Sequence, residues 1–286
     1  MTFGFIFLVP FVLGVQVVYF AELERKTSWL FRIFMPWVPG LFLLTAAFLT
    51  GWEGSICILM ALPIFLIFSS IGGGFMGLAF DTDGDSHTKG APLLIVCAVL
   101  PLVCSSIEQQ FQLPQTLRTV DTQITINAPP AVIWHNIERV PAIQPQEHKP
   151  SLFHRLGFPR PVEATLSHEG IGGVRHATFE GKVLFVETIT TWEREKKLAF
   201  TIKADTASIP PTTLDEHVTV GGPFFDVLDG TYWLEPVGHN QVILHLSSHH
   251  RLSTRFNFYA GWWTDAIMRD IQNNILGIIK NRCERK

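Results

Sequence analysis

The residue types able to do chemistry gather in the second half of this 286-residue chain. Glu187 stands on Lys182–Trp192, a stretch that alternates like a strand, and shares a face with Phe185 and Ile189. If that face lines an enclosed space, the carboxylate is desolvated and becomes a proton acceptor or a ligand anchor. Leu184, Val186 and Trp192 make the opposite face equally apolar, so an outward, solvated Glu187 is the competing expectation. Arg175 and His176 are neighbours on the preceding strand and point to opposite faces, so either one can turn inward. An inward Arg would hold a carboxylate or phosphate, while an outward one would end in a surface ion pair. Tyr232 alternates with Leu228 and Leu234 on an inward face, as a core tyrosine or a proton donor. The run His245–His250, HLSSHH, invites a metal reading. On a strand, however, His245 and His249 stand about 13 Å apart on one face, whereas ligands converge on an ion at about 2 Å. His249 and His250 face opposite ways, so no metal centre is expected.

Other signatures are missing. There is no Gly-x-Ser-x-Gly elbow and no dinucleotide fingerprint. Gly72–Gly77 lacks the Lys-Ser/Thr of a phosphate loop. It reads as a loose helix end or, with Gly73 and Gly77 four apart, a close-packing surface. The acidic run Asp81–Asp85 fails as a calcium loop, because its sixth and twelfth positions are Ser86 and Pro92 rather than Gly and Glu. Four Cys form no CxxC pair, so neither a zinc site nor a disulfide framework is implied. A net charge of −3 without a basic run argues against nucleic acid. No cofactor is expected, and protein partners stay open.

Residues 1–110 are strongly apolar and read as a transmembrane region of about four helices, spans 3–20, 33–50, 55–71 and 91–107. The first run has no positive residue before it, which disfavours a cleaved signal peptide. Lys and Arg lie in the first loop (Arg25, Lys26, Arg32) and the third (Lys89), which puts those loops inside. With four spans, the C-terminal domain then lies outside. In a bacterium this means an inner-membrane protein with its domain on the periplasmic side.

Residues 111–118 read as a linker, and 119–286 as a soluble unit. Thr119–Asn127 alternates as a half-buried strand and Ala128-Pro129-Pro130 stops it. A short helix follows, with Val132, Ile133 and Ile137 inward. Strands follow at 162–168, 173–180, 182–192, 197–203, 227–235 and 241–249, with a long insertion at Asp205–Phe225. Asn257–Arg282 reads as one long helix. Ala260, Thr264, Ile267, Ile271, Ile275 and Ile278 form its apolar stripe, flanked by Met268 and Ile279. Phe258, Trp262 and Leu276 fall on the other side, against a bilayer or the transmembrane bundle, or under the insertion.

This order carries a resemblance. ITINAPPAVIW (124–134), GIGGVRHATFEG (170–181), WEREKKLAFTI (192–202) and GTYWLEPVGHNQVILHLSS (230–248) resemble the START-like, or SRPBCC, superfamily over residues 119–284. The resemblance implies an α+β, helix-grip fold, an antiparallel sheet around the C-terminal helix with an apolar cavity between them. It also implies binding or transport of a lipid or other hydrophobic small molecule, or a cyclase, dehydratase or hydrolase activity of the polyketide-cyclase type. Arg175, His176, Glu187, Tyr232, Ile267 and Ile271 are the candidate ligand-binding residues. Phe258 and Trp262 are the candidate membrane contacts, with the bilayer as partner. A non-catalytic module whose cavity is filled by its own side chains is the third expectation.

Overall fold

The computed structural model describes residues 2–24, 26–52, 54–82, 86–205, 220–238 and 240–285, with the backbone alone for 86–94. Most of the Asp205–Phe225 insertion, most of the acidic run 81–85, and Arg25 lie outside the described residues. The chain divides into two compact units, Met1–Leu113 and Pro114–Lys286.

Apolar runs make the first unit helical: α1 (Val9–Glu24, entered through a π-helical turn at Gly4–Leu8), α2 (Trp29–Phe34), α3 (Trp37–Leu49), α4 (Ser55–Thr82) and α5 (Ser86–Glu108). The Ser28 hydroxyl accepts from the Phe31 N–H and starts α2. Among the described residues, three segments, Gly4–Glu24, Trp29–Leu49 and Ser55–Thr82, are long and apolar enough to cross a membrane, and Ile95–Glu108 in α5 is a shorter apolar stretch. Gly72–Gly74 do not end the third run as a loose helix end would. The helix α4 continues to Thr82, and Gly72 and Gly73 within it serve close packing. A Cβ at Gly72 would strike the Phe11 carbonyl, and one at Gly14 the Ser69 carbonyl. The α1 and α4 backbones therefore approach as closely as glycine permits. Arg32, counted above as a loop charge, lies in α2 and is buried. Its guanidinium bonds Glu22 at 2.9 Å and Asp81 at 2.6 Å, which compensates the desolvated charge.

In the second unit alternation builds β1 (Thr116–Ile126), β2 (Pro161–Leu166), β3 (Val174–Phe179), β4 (Val183–Glu193), β5 (Lys197–Asp205), β6 (Phe225–Gly238) and β7 (Gln241–Leu252). They form one antiparallel sheet in the order β1-β7-β6-β5-β4-β3-β2. β1 begins inside the expected linker, because Thr116 through Thr119 pair with Leu252 through His249. Between β1 and β2 run α6 (Pro130–Glu138) and the short α7 (Leu152–Arg155). Pro130 takes the first turn of α6, where a missing N–H costs nothing. Bulges in β4 (Ile189/Thr191) and β6 (Val227/Asp229) help curl the sheet. The long α8 (Asn257–Glu284) packs on β1, β7 and α6. Ile133, Trp134, Ile137, Leu244, Leu276 and Ile279 form the core at the end where α6, α8 and the sheet meet. A curled antiparallel sheet clasping a long C-terminal helix is the helix-grip, START-like fold.

Candidate functional site

Between the sheet and α8, bordering the core, lies a cavity of about 170 Å³. Its walls follow from strand alternation. β3 turns Arg175, Ala177 and Phe179 inward, β4 turns Val183, Phe185 and Glu187, and β5 turns Phe200 and Ile202. From α8 come Ile267, Met268, Ile271 and Ile275, the expected stripe, and Val140, Ile143, Phe158 and Pro159 close another side. The lining is overwhelmingly apolar.

A buried cluster of ionisable groups breaks it. Arg175 and Glu187 are register partners on β3 and β4, so their side chains meet over one face of the sheet. Arg175 Nη1 donates to Glu187 Oε2 at 2.9 Å, with both residues buried. The guanidinium carbon lies 5.4 Å from the centre of the Phe200 ring, a cation–π contact. Phe200 fits there because its β6 neighbour is Gly230. A Cβ on Gly230 would come within 2.7 Å of the ring. Tyr232, also buried, lines the same cavity, and its phenol feels the charges of Arg175 and Glu187. Burial pushes the Glu187 carboxyl above its ordinary range, opposed by Arg175, and burial raises the Tyr232 phenol likewise. Arg175 Nε is buried with no hydrogen-bond partner among the described residues. The site thus holds an unused donor, a phenol and a carboxyl drawn toward its neutral form. Such a cluster can orient one carbonyl or carboxylate and exchange a proton with it.

Of the sequence candidates, the structure brings together Arg175, Glu187, Tyr232, Ile267 and Ile271. Glu187 faces the cavity and not solvent. His176 does not join them: it is exposed on the opposite face of β3. Ser248 and Gln272 also reach the wall and were not foreseen. Ser248 is two residues from His250 on the inward face of β7, so the alternation of that strand carried the signal. Gln272 had none, being a polar residue outside the apolar stripe of the helix. The His residues of HLSSHH disperse. His245 stacks on Trp233 at 4.5 Å and bonds Glu235, His249 bonds Asp229, and His250 is buried beside Thr264. Phe258 and Trp262 are exposed, while Leu276, grouped with them above, is fully buried. α6 covers that stretch of the helix, and its Ile133 and Ile137 join Leu276 in one core.

No protein-family model matches the chain, and no curated protein matches it. Solved structures do. A START superfamily protein from Mycobacterium smegmatis is 10% identical, covering 58% of this chain and 97% of that one, with a TM-score of 0.39. Norcoclaurine synthase from Thalictrum flavum is 14% identical over 62% of this chain and 99% of its own, with a TM-score of 0.36. The Zhui aromatase/cyclase from Streptomyces sp. R1128 is 12% identical over 58% and 94%, with a TM-score of 0.35. At such values these likenesses add no function; the fold stands on the strand order and the seat of α8.

Proposed function

We propose that the C-terminal unit binds a compact hydrophobic molecule bearing one carbonyl or carboxylate group, and that the apolar helices of the first unit anchor it in a membrane. One observation supports the ligand class most directly: an apolar cavity with a buried, ionisable cluster on its wall, Arg175–Glu187–Tyr232. The size is instructive. An engineered apolar cavity of about 150 Å³ takes a benzene ring, and pockets for drug-sized ligands start near 300 Å³. A space of about 170 Å³ therefore suits one or two rings or a short chain. A full-length lipid acyl chain would need the clasp to widen. The reading is tested by purifying the full chain in detergent, extracting it with organic solvent and searching the extract by mass spectrometry. Displacement of an anilinonaphthalene probe gives a second readout. Ala177→Phe, which fills the cavity, is expected to remove both signals. Absence of any apolar ligand together with probe binding unaffected by Ala177→Phe sinks the reading.

The second reading is an enzyme of the cyclase, dehydratase or hydrolase type. The inward Glu187 beside Arg175 favours it, since a carboxyl drawn toward neutrality can take and return a proton. Incubating the recovered ligand with wild type and with Glu187→Gln distinguishes the two. A mass change made by wild type alone supports the enzyme, and an unchanged ligand with both supports simple binding.

For location, an inner membrane with the second unit on the periplasmic side is the proposal. It counts Lys26 and Lys89 as inside charges and α5 as a fourth span.

A further inference from the structure

The row Trp262, Arg269, Leu276 and Cys283 repeats every seven residues along α8, so these side chains share one side of the helix. Its C-terminal half is covered. Leu276 is 0% exposed and Cys283 is buried, with its thiol at the Val132 carbonyl of α6. Its N-terminal half is bare. Trp262 is 65% exposed and Phe258, one turn earlier, 75%. No described element covers these rings, which are as large as those that fill the core.

Two features say what the bare half fits. The first is composition. Phe258 and Trp262 are flanked by Arg255 and Arg269, and the nearest carboxylate along the face, Asp265, is held by Arg118 at 2.8 and 2.6 Å. Aromatic rings with guanidinium flanks suit the boundary between acyl chains and anionic headgroups. The second is covalent. Asn257, adjacent to Phe258, donates to the carbonyl of Pro114, the first residue of the second unit, and to the Thr116 hydroxyl, both at 2.9 Å. Only residues 109–113 separate Pro114 from the end of the apolar helix α5 at Glu108. That leash spans about 20 Å at full extension. The bare aromatics therefore cannot stray far from the medium that holds α5.

We propose that Phe258 and Trp262 seat in the interfacial layer of the bilayer, with Arg255 and Arg269 toward anionic headgroups. This rests on the membrane anchoring proposed above. The seat would hold the second unit in one orientation on the lipid surface instead of letting it swing on its leash.

The test uses the full chain in nanodiscs of mixed phosphatidylcholine and phosphatidylglycerol, with and without phosphatidylcholine brominated high on its chains. The signal is the difference in tryptophan emission between wild type and Trp262→Phe, a substitution at an exposed site that leaves the fold intact. A difference spectrum that is blue-shifted and mostly quenched by the brominated lipid is expected. Emission at the wavelength of water-exposed indole, unquenched, overturns the seat while leaving membrane anchoring standing. A blue-shifted but unquenched signal also overturns it and points to a protein surface, such as a second copy of this chain. Failure of the chain to enter discs overturns the anchoring and the seat together.

Discussion

Arg175 and Glu187 confront each other across two strands in an apolar wall, and the energetics of that pair can be read by substitution. Glu187→Ala would strand a desolvated guanidinium. The expected cost is about 3–5 kcal/mol in chemical denaturation. Replacing both, as Arg175→Met with Glu187→Leu, is expected to be close to neutral, because no unpaired charge remains. If the double variant is as unstable as Glu187→Ala, the loss comes from packing and not from an orphaned charge. The alternation of Lys182–Trp192 put Glu187 on one face with Phe185 and Ile189, and that much was legible. Which face is inner was not, since both are apolar. The choice is made by what packs on the sheet, and α8 packs on the side of Glu187. The same holds for Arg175 over His176.

At the scale of elements, α8 is seated by polar as well as apolar contacts. Gln272 accepts from Thr122 Oγ1 and donates to the Val120 carbonyl and to Ser248, tying the helix to β1 and β7. Nearer its start, His250 of β7 is buried, with Nε2 3.2 Å from Thr264 Oγ1 and 3.6 Å from Asp265. Burial lowers its pKa from 6.5 to about 4; Arg118 and His249 act in the same direction and Asp265 opposes. The depressed value means the unfolded chain takes up a proton that the folded chain refuses. The stabilisation is fully present above pH 6.5 and is lost as pH falls toward 4, on the order of 3 kcal/mol in all. Glu147, held down to about 2 by hydrogen bonds from Arg282, adds a loss of the same sign, but only below its ordinary 4.5. Denaturation midpoints of the full chain in detergent should therefore fall between pH 6.5 and 4.5, and His250→Gln should flatten that fall. An equal fall in the variant would remove His250 as the cause. The Ile stripe of α8 was evident from its spacing. The burial of Gln272 and Leu276 was not, because it depends on β1 and α6, which lie more than a hundred residues away in the chain.

At the scale of the whole molecule, the described residues of the second unit form a core of their own, from Ile126 and Trp134 to Leu276 and Cys283. Residues 114–286 expressed alone are expected to fold cooperatively, with dispersed amide resonances and a single thermal transition. A molten product without such dispersion would mean that the two units share a folding nucleus. By itself the sequence determined the periodicities: long apolar runs at the front, alternating strands behind them, a striped helix at the end, and their order. These are local properties, fixed by 3.6- and 2-residue repeats and by prolines and glycines at the boundaries. Only the tertiary structure decided that Gly72 closes α4 against α1 and Gly73 closes it against α2, that Arg32 is paired and buried, and that Arg175, Glu187 and Tyr232 converge on one cavity. Those outcomes depend on which surfaces meet across long chain separations, and burial, not local pattern, sets the charge and hydrogen-bonding state of each group.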